Sequence, residues 1–358
     1  MNRLKTASIA TTCLGFAVLL ILGCGHHRIS GSAHAEPLKP LPLDLSKGNP
    51  NELGVVPILE YHELTVAKGT HGGYKFPLAK FRADMERLYK LGYRPISLHD
   101  FVTGHIDVPA GLSPVVITFD DALRGQVDFD QQGNISPNCA AGVLVDMHRR
   151  HPEWAQRAIF FVLPMKGSEV FFYQKEYSQQ KLKWLVDNGF EIGNHTLHHL
   201  PGMRHWGDAR VVSEIAGATA LIGKYLPGYP VDTIALPFGV FPRNTKLVIS
   251  GAANGVAYKH ICALKAGAGP ALPPSSKKFQ AYAIPRMIPG NGQFEIGWWL
   301  TYLERHKAEK YVSDGDANTV TVAATQAKYA SIERIKKNKL FFRTYQPLLV
   351  KAAPPKAG

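Results

Sequence analysis

Val115-Val116-Ile117-Thr118-Phe119-Asp120-Asp121 is an apolar, β-branched run that stops at two adjacent carboxylates. Its length and branching predict a buried strand, with the carboxylates where the strand meets its loop. That is the end at which α/β enzymes keep their chemistry. A second run, Glu191-Ile192-Gly193-Asn194-His195-Thr196-Leu197-His198-His199, stops in the same way at histidines. His195 and His199 are four apart, a spacing at which one helical turn brings two imidazoles to the same side of a metal ion. Two imidazoles and one carboxylate leave coordination positions open, which points to a catalytic metal rather than a closed structural one. Asp-Asp is common in solvated turns, and a chain with 15 histidines produces His-x-x-x-His by chance. The reading rests on both motifs following strand-like runs. A zincin protease site is ruled out, because it needs Glu directly after the first histidine and Thr196 stands there.

Outward from these runs, strand-like and helix-like segments alternate. Strands are expected near 115–120, 158–163, 190–195, 232–237, 256–261 and 281–287. Helices are expected near 139–150, 178–188, 208–225, 243–252 and 294–306. Phe81, Met85, Leu88 and Leu91 add a further amphipathic helix, with Gly92 as its C-cap. Such alternation implies a parallel sheet in an α/β fold. Between Asp121 and the strand at Ala158, residues 122–157 form a connection longer than usual, either a wall of the substrate groove or a surface elaboration unrelated to binding.

Thr118-Phe119-Asp120-Asp121 with His195-Thr196-x-x-His199 resembles the polysaccharide deacetylase family, the NodB-homology domain or carbohydrate esterase family four. Val56-Pro57-Ile58-Leu59-Glu60-Tyr61-His62, Leu236-Pro237-Phe238-Gly239 and Ile284-Pro285-Arg286-Met287 agree in order with further family motifs. An opening Tyr-His strand resembles the branch that deacetylates poly-N-acetylglucosamine. The resemblance implies a distorted (β/α)7-8 barrel. It also implies Asp121, His195 and His199 as metal ligands, Asp120 as general base, the backbone N–H of Phe238 at the oxyanion and His62 as the acid. The family often has an Arg two residues before the Pro of its third motif, where this chain has Ala235, and Arg286 is the candidate to supply that charge. His198 is read as a residue behind the ligands or at the surface, and His71, His99, His105 and His148 as structural or solvated. The metal is expected to be Zn, with Co or Ni also suited to such ligands.

The chain has 358 residues and 45% hydrophobic content, enough to bury the core of one large barrel. Its formal charge of +13 is scattered, with no basic run interleaved with aromatics, so nucleic acid is not an expected partner and a monomer is. Arg3 and Lys5 precede an apolar segment from Ile9 to Leu22, the arrangement of an export signal. Lipid attachment at Cys24, cleavage after Ala35 and retention as a membrane anchor are the three fates, all of which place the remaining chain outside the cytoplasm. The expected organisation is a signal or anchor over 1–35, a linker over 36–53, a catalytic domain over 54–310 and a C-terminal extension over 311–358. That extension holds a turn, a short strand and a basic helix-like segment. Cys139 and Cys262 cannot make a disulfide framework and read as small buried residues.

The expected activity is hydrolysis of N-acetyl groups on an envelope or extracellular glycan containing N-acetylglucosamine, the acetylated glycan being the partner. An O-acetyl polysaccharide esterase, or a non-catalytic glycan-binding protein on the same fold, are the alternatives; the missing Arg at 235 supports the latter. Tyr74, Phe171, Phe172, Tyr173, Trp298 and Trp299 are aromatic residues that sugars could stack on, but aromatic pairs at helical positions are more often core and none is assigned that role.

Overall fold

The computed structural model describes residues 39–66, 74–164, 168 and 170–347. The expected signal with Cys24 and Ala35, His71 and the Pro-Ala-Lys tail lie outside these residues. In chain order the first elements are β1 (Ile58–Tyr61), β2 (Glu63–Thr65), β3 (Lys75–Pro77), α1 (Leu78–Lys90), β4 (Tyr93–Pro95), α2 (Leu98–Thr103) and β5 (Ser113–Asp120). Then come α3 (Ala140–Arg150), β6 (Ile159–Val162), α4 (Ser178–Asp187), β7 (Glu191–Asn194), α5 (Asp208–Tyr225) and β8 (Thr233–Ala235). Next are α6 (Lys246–Ile249), β9 (Ser250–Ala253), β10 (Val256–Lys259), β11 (Cys262–Ala268), β12 (Ile284–Arg286) and α7 (Ile296–Arg305). The last are β13 (Thr319–Ala323), α8 (Ile332–Lys337) and β14 (Phe341–Tyr345).

Seven parallel strands run in the order β1-β5-β6-β7-β8-β11-β12, and β4 pairs with the start of β5. The sheet comes round on itself. Glu60 N–H donates to Met287 O (2.9 Å) and Met287 N–H to Ile58 O (2.7 Å), so the end of β12 meets β1. This is the expected α/β barrel, nearly closed. All eight residues of β5 are buried, because helices cover one face and the barrel interior the other. Each parallel step needs a crossover, which the helices supply while burying their apolar stripes, as α1 does with Phe81, Met85 and Leu88.

One expected strand is misplaced. Residues 256–261 do not enter the barrel: β10 pairs antiparallel with β9 in a hairpin outside it. The turn is Asn254-Gly255, both with positive φ (52° and 76°), the dipeptide that suits a tight two-residue hairpin. The hairpin takes Ser250–Ala253 from the helix expected over 243–252, which shrinks to Lys246–Ile249. The sixth barrel strand is β11, directly after it.

The C-terminal strand and helix fall where expected, as β13 and α8. β14 was not anticipated and pairs parallel with β13. The linker segment lies against them: Leu41 N–H donates to Asp316, Asn51 pairs with Val312, and Glu52 is buried with both oxygens accepting N–H groups of Asp314 and Thr321. Cys139 and Cys262 are buried and free. Burial pushes the Cys139 thiol up to about 11, which leaves it unreactive near neutral pH. Among the described residues no helix is long and apolar enough to cross a membrane.

Candidate metal centre

Two barrel strands, β5 and β7, deliver the three candidate ligands at their ends. Asp120 is the last residue of β5, and Asp121 has already turned out of it with φ 74°. The two carboxylates therefore diverge. His195 follows the last residue of β7. The His-x-x-x-His segment is not a helical turn, as the spacing had suggested, but a loop with Thr196 at φ 63° and His199 at φ 49°. Asn194 makes this turn. Its Oδ1 accepts from Thr196 N–H (2.8 Å) while its amide donates to Ile215 O (2.9 Å), an arrangement in which an Asn side chain replaces a backbone turn. The loop brings the rings of His195 and His199 to 5.0 Å between centroids.

Asp121 Oδ1 stands 3.1 Å from His195 Nε2 and 3.4 Å from His199 Nε2. His195 Nδ1 is 2.8 Å from Ala235 O, a pairing that requires the proton on Nδ1 and leaves a lone pair on Nε2. Nε2 of His195 and Oδ1 of Asp121 are both buried without a hydrogen bond. Two lone pairs facing each other at that distance repel unless a cation lies between them, so the donor set fits a divalent metal. Burial alone would lower the His195 pKa, but the charges of Asp120 and Asp121 outweigh it and raise it. His199 is pushed down by burial and by His195.

Behind this trio lies a buried charge network. Arg286, fully enclosed, donates to Asp120 in bidentate fashion, with both bonds at 2.7 Å. Burial raises the Asp120 pKa, and the Arg286 charge, helped by His195, reverses that and holds it well below the ordinary carboxylate range. Arg286 thus occupies the place beside Asp120 that Ala235 leaves without a charge. His62 lies on the other side, with ring and carboxylate atoms of Glu60, His62 and Asp120 all within 4.8 Å of one another. Its ring packs 4.7 Å from Tyr74. Phe238 sits at φ 57° and is half exposed, its ring 4.6 Å from that of His199.

A residue the sequence reading missed ties these parts together. Gln126, fully buried in the 122–157 segment, donates from one amide nitrogen to both His62 O (3.1 Å) and Asp120 O (2.5 Å). Nothing in a polar stretch announces it. A cavity of about 760 Å³ opens beside His62, and among the described residues its lining includes Glu60, Tyr74, Lys80, Asp84, Asn291 and Glu295 and none of 122–157. Of the candidate sugar platforms, Tyr74 is exposed in this cavity and Phe171 and Phe172 are buried. Trp298 and Trp299 pack against Phe294 and Tyr302 on α7. His198 is half exposed and pairs with Glu214 (2.8 Å). His148 meets Trp154 O (2.9 Å).

The family model described as Polysaccharide deacetylase matches residues 108–254. The matched span holds Asp120, Asp121, His195, His199 and Phe238, whereas His62 and Arg286 lie outside it. No curated protein matches the chain. Among solved structures, the Streptococcus pyogenes deacetylase PplD in complex with acetate aligns at 18% identity over 66% of this chain and 92% of its own, with a TM-score of 0.48. IcaB from Ammonifex degensii aligns at 19% identity over 69% of this chain and 97% of its own, with a TM-score of 0.48. A de-N-acetylase from Aggregatibacter actinomycetemcomitans aligns at 13% identity over 64% and 93%, with a TM-score of 0.44.

Proposed function

We propose that this chain is a polysaccharide deacetylase that acts outside the cytoplasm and hydrolyses N-acetyl groups of a polysaccharide containing N-acetylglucosamine. The observation that carries the reading is the convergence of Asp121, His195 and His199 beside an Asp120 that is held by Arg286 and flanked by His62. Asp121, His195 and His199 hold a divalent metal, Zn or alternatively Co or Ni. When bound, that ion supplies Lewis acidity, which lowers the pKa of a water and polarises the acetamide carbonyl. Asp120 takes the proton of the attacking water. Arg286 orients it, because a bidentate pair fixes both oxygens. The N–H of Phe238 faces the oxygen on which charge develops. His62 then protonates the departing amine, a poor leaving group without that proton. The cavity beside His62, with Tyr74 exposed in it, receives the glycan.

Arg286 on Asp120 also answers the only sequence argument for a non-catalytic protein, the missing Arg at 235. The test is release of free amine and acetate from a panel of poly-N-acetylglucosamine, peptidoglycan, chitin oligomers and O-acetylated xylan, with and without added Zn, Co or Ni. Amine and acetate in equal amounts, dependent on metal, are expected from an N-acetylated member. Acetate from the xylan alone would move the assignment to an esterase. Cell fractionation tests the location, with the full-length chain expected outside the cytoplasm.

A further inference from the structure

Glu60 is the single charged residue in the strand Ile58-Leu59-Glu60-Tyr61, yet it is only 3% exposed. β1 lies between β12 and β5, with Glu60 in register with Thr118 and Leu59 with Met287. Glu60 therefore stands between the strand that carries Arg286 and the strand that carries Asp120. Its Oε1 is 3.2 Å from Arg286 Nη2, and its Oε2 accepts the N–H of Gly267 at 3.0 Å.

The donors of Arg286 can be counted. Nε donates to Lys265 O (3.1 Å), and Nη1 to Thr118 Oγ1 (3.0 Å) and to Asp120 Oδ1 (2.7 Å). Nη2 donates to Asp120 Oδ2 (2.7 Å) and faces Glu60 Oε1. A guanidinium has five N–H groups, and Glu60 faces the remaining one on Nη2 as an ion pair at 3.2 Å. Charge balance does not require it, since Asp120 already neutralises Arg286, and a second buried carboxylate carries its own desolvation cost. Glu60 lines the cavity beside His62, yet its Oε2 accepts the Gly267 N–H and its Oε1 faces the Arg286 charge, which suits a group that holds the site.

We infer that Glu60 is a positioning residue for Asp120 that acts through Arg286. By pairing its charge with Nη2 it holds the guanidinium against rotation about Cζ–Nε, and the fixed guanidinium in turn fixes both oxygens of Asp120. The inference rests on the proposed reading of Asp120 as the proton acceptor.

The experiment uses the full chain with Glu60→Ala and Glu60→Gln. Arg286 side-chain nitrogens are followed by NMR in arginine-labelled protein, and Arg286→Lys identifies their signals. Resolved Nη proton signals are expected in the parent, averaged by rotation in Glu60→Ala and partly averaged in Glu60→Gln, whose amide oxygen still serves Nη2. On the metal-loaded protein, kcat falls about 10- to 100-fold in Glu60→Ala and less in Glu60→Gln, with KM and metal stoichiometry unchanged. Unchanged Arg286 signals in the variants, or a loss confined to KM, would overturn the inference. If Glu60→Ala does not fold, Glu60→Gln supplies both readouts, and parent-like signals and kcat there have the same force. A parent protein that releases no acetate from any glycan would sink the deacetylase reading, while the NMR comparison still decides whether Glu60 holds Arg286.

Discussion

At the scale of single residues, the proposed reading divides the site into groups that bind a cation and groups that move protons. His195→Ala or His199→Ala should abolish tight metal uptake and turnover while the fold survives, because each removes one of three converging donors. Full metal stoichiometry in both variants would remove them from the site. The adjacent aspartates should separate. Asp121→Asn loses metal, whereas Asp120→Asn keeps it and loses roughly 10²- to 10⁴-fold in kcat, the usual range for a general base; metal analysis giving the opposite pattern would exchange their roles. For His62→Ala, loss on an N-acetylglucosamine oligomer should far exceed loss on an aryl acetate, whose leaving group departs without a proton. Equal losses would make the histidine an orienting residue. These positions were legible in the sequence because carboxylates and imidazoles interrupt apolar runs there. Gln126 and Glu60 were not, since a glutamine in a polar insertion and a glutamate in a strand look ordinary until the barrel brings β12, β1 and β5 together.

Among elements, the strands and most helices could be read from their periodicity, and two local failures have local causes. Asn254-Gly255 is a hairpin signal that the apolar run after it masked. The His-x-x-x-His spacing suggested a helix because sequence separation does not reveal the turn made by Asn194. Another inter-element contact makes a pH prediction. The Glu191 carboxylate, at the start of β7, accepts the N–H groups of Leu98 and His99 at the N-terminus of α2. Burial raises it from 4.5 to about 7 despite those bonds. A carboxyl raised on folding contributes stability that is fully present below its unfolded pKa and is lost as pH rises through the folded value. The window is thus about pH 4.5 to 7, with a magnitude on the order of 3 kcal/mol. Glu191→Gln, which cannot ionise, should gain on the parent in thermal midpoint between pH 5 and pH 8. A constant offset across that range would contradict the burial effect. Its baseline should be lower, because an amide has one acceptor for two N–H groups.

For the whole molecule, the barrel was legible in outline and the C-terminal extension only in part, because pairing of β13 with β14 depends on a crossover that no local pattern encodes. Tyr311, at the start of that extension, is buried with Val56, Leu98 and Phe101, and its carbonyl accepts from Ser113. Tyr311→Ala should therefore cost about 3–5 kcal/mol and lower the midpoint by roughly 10 °C, with metal stoichiometry of the folded protein unchanged. A midpoint within a degree or two of the parent would show the extension to be an ornament. The order of the site residues along the chain has a consequence for biosynthesis. Asp121, His195 and His199 have all been made by the time the ribosome reaches residue 199, whereas Arg286 arrives with the strand that closes the barrel onto β1. On the proposed reading, a clipped chain can hold all three ligands and the Ala235 carbonyl that orients His195, but Asp120 has no partner until translation has passed the last barrel strand. Chemistry is thus withheld from any unfinished copy.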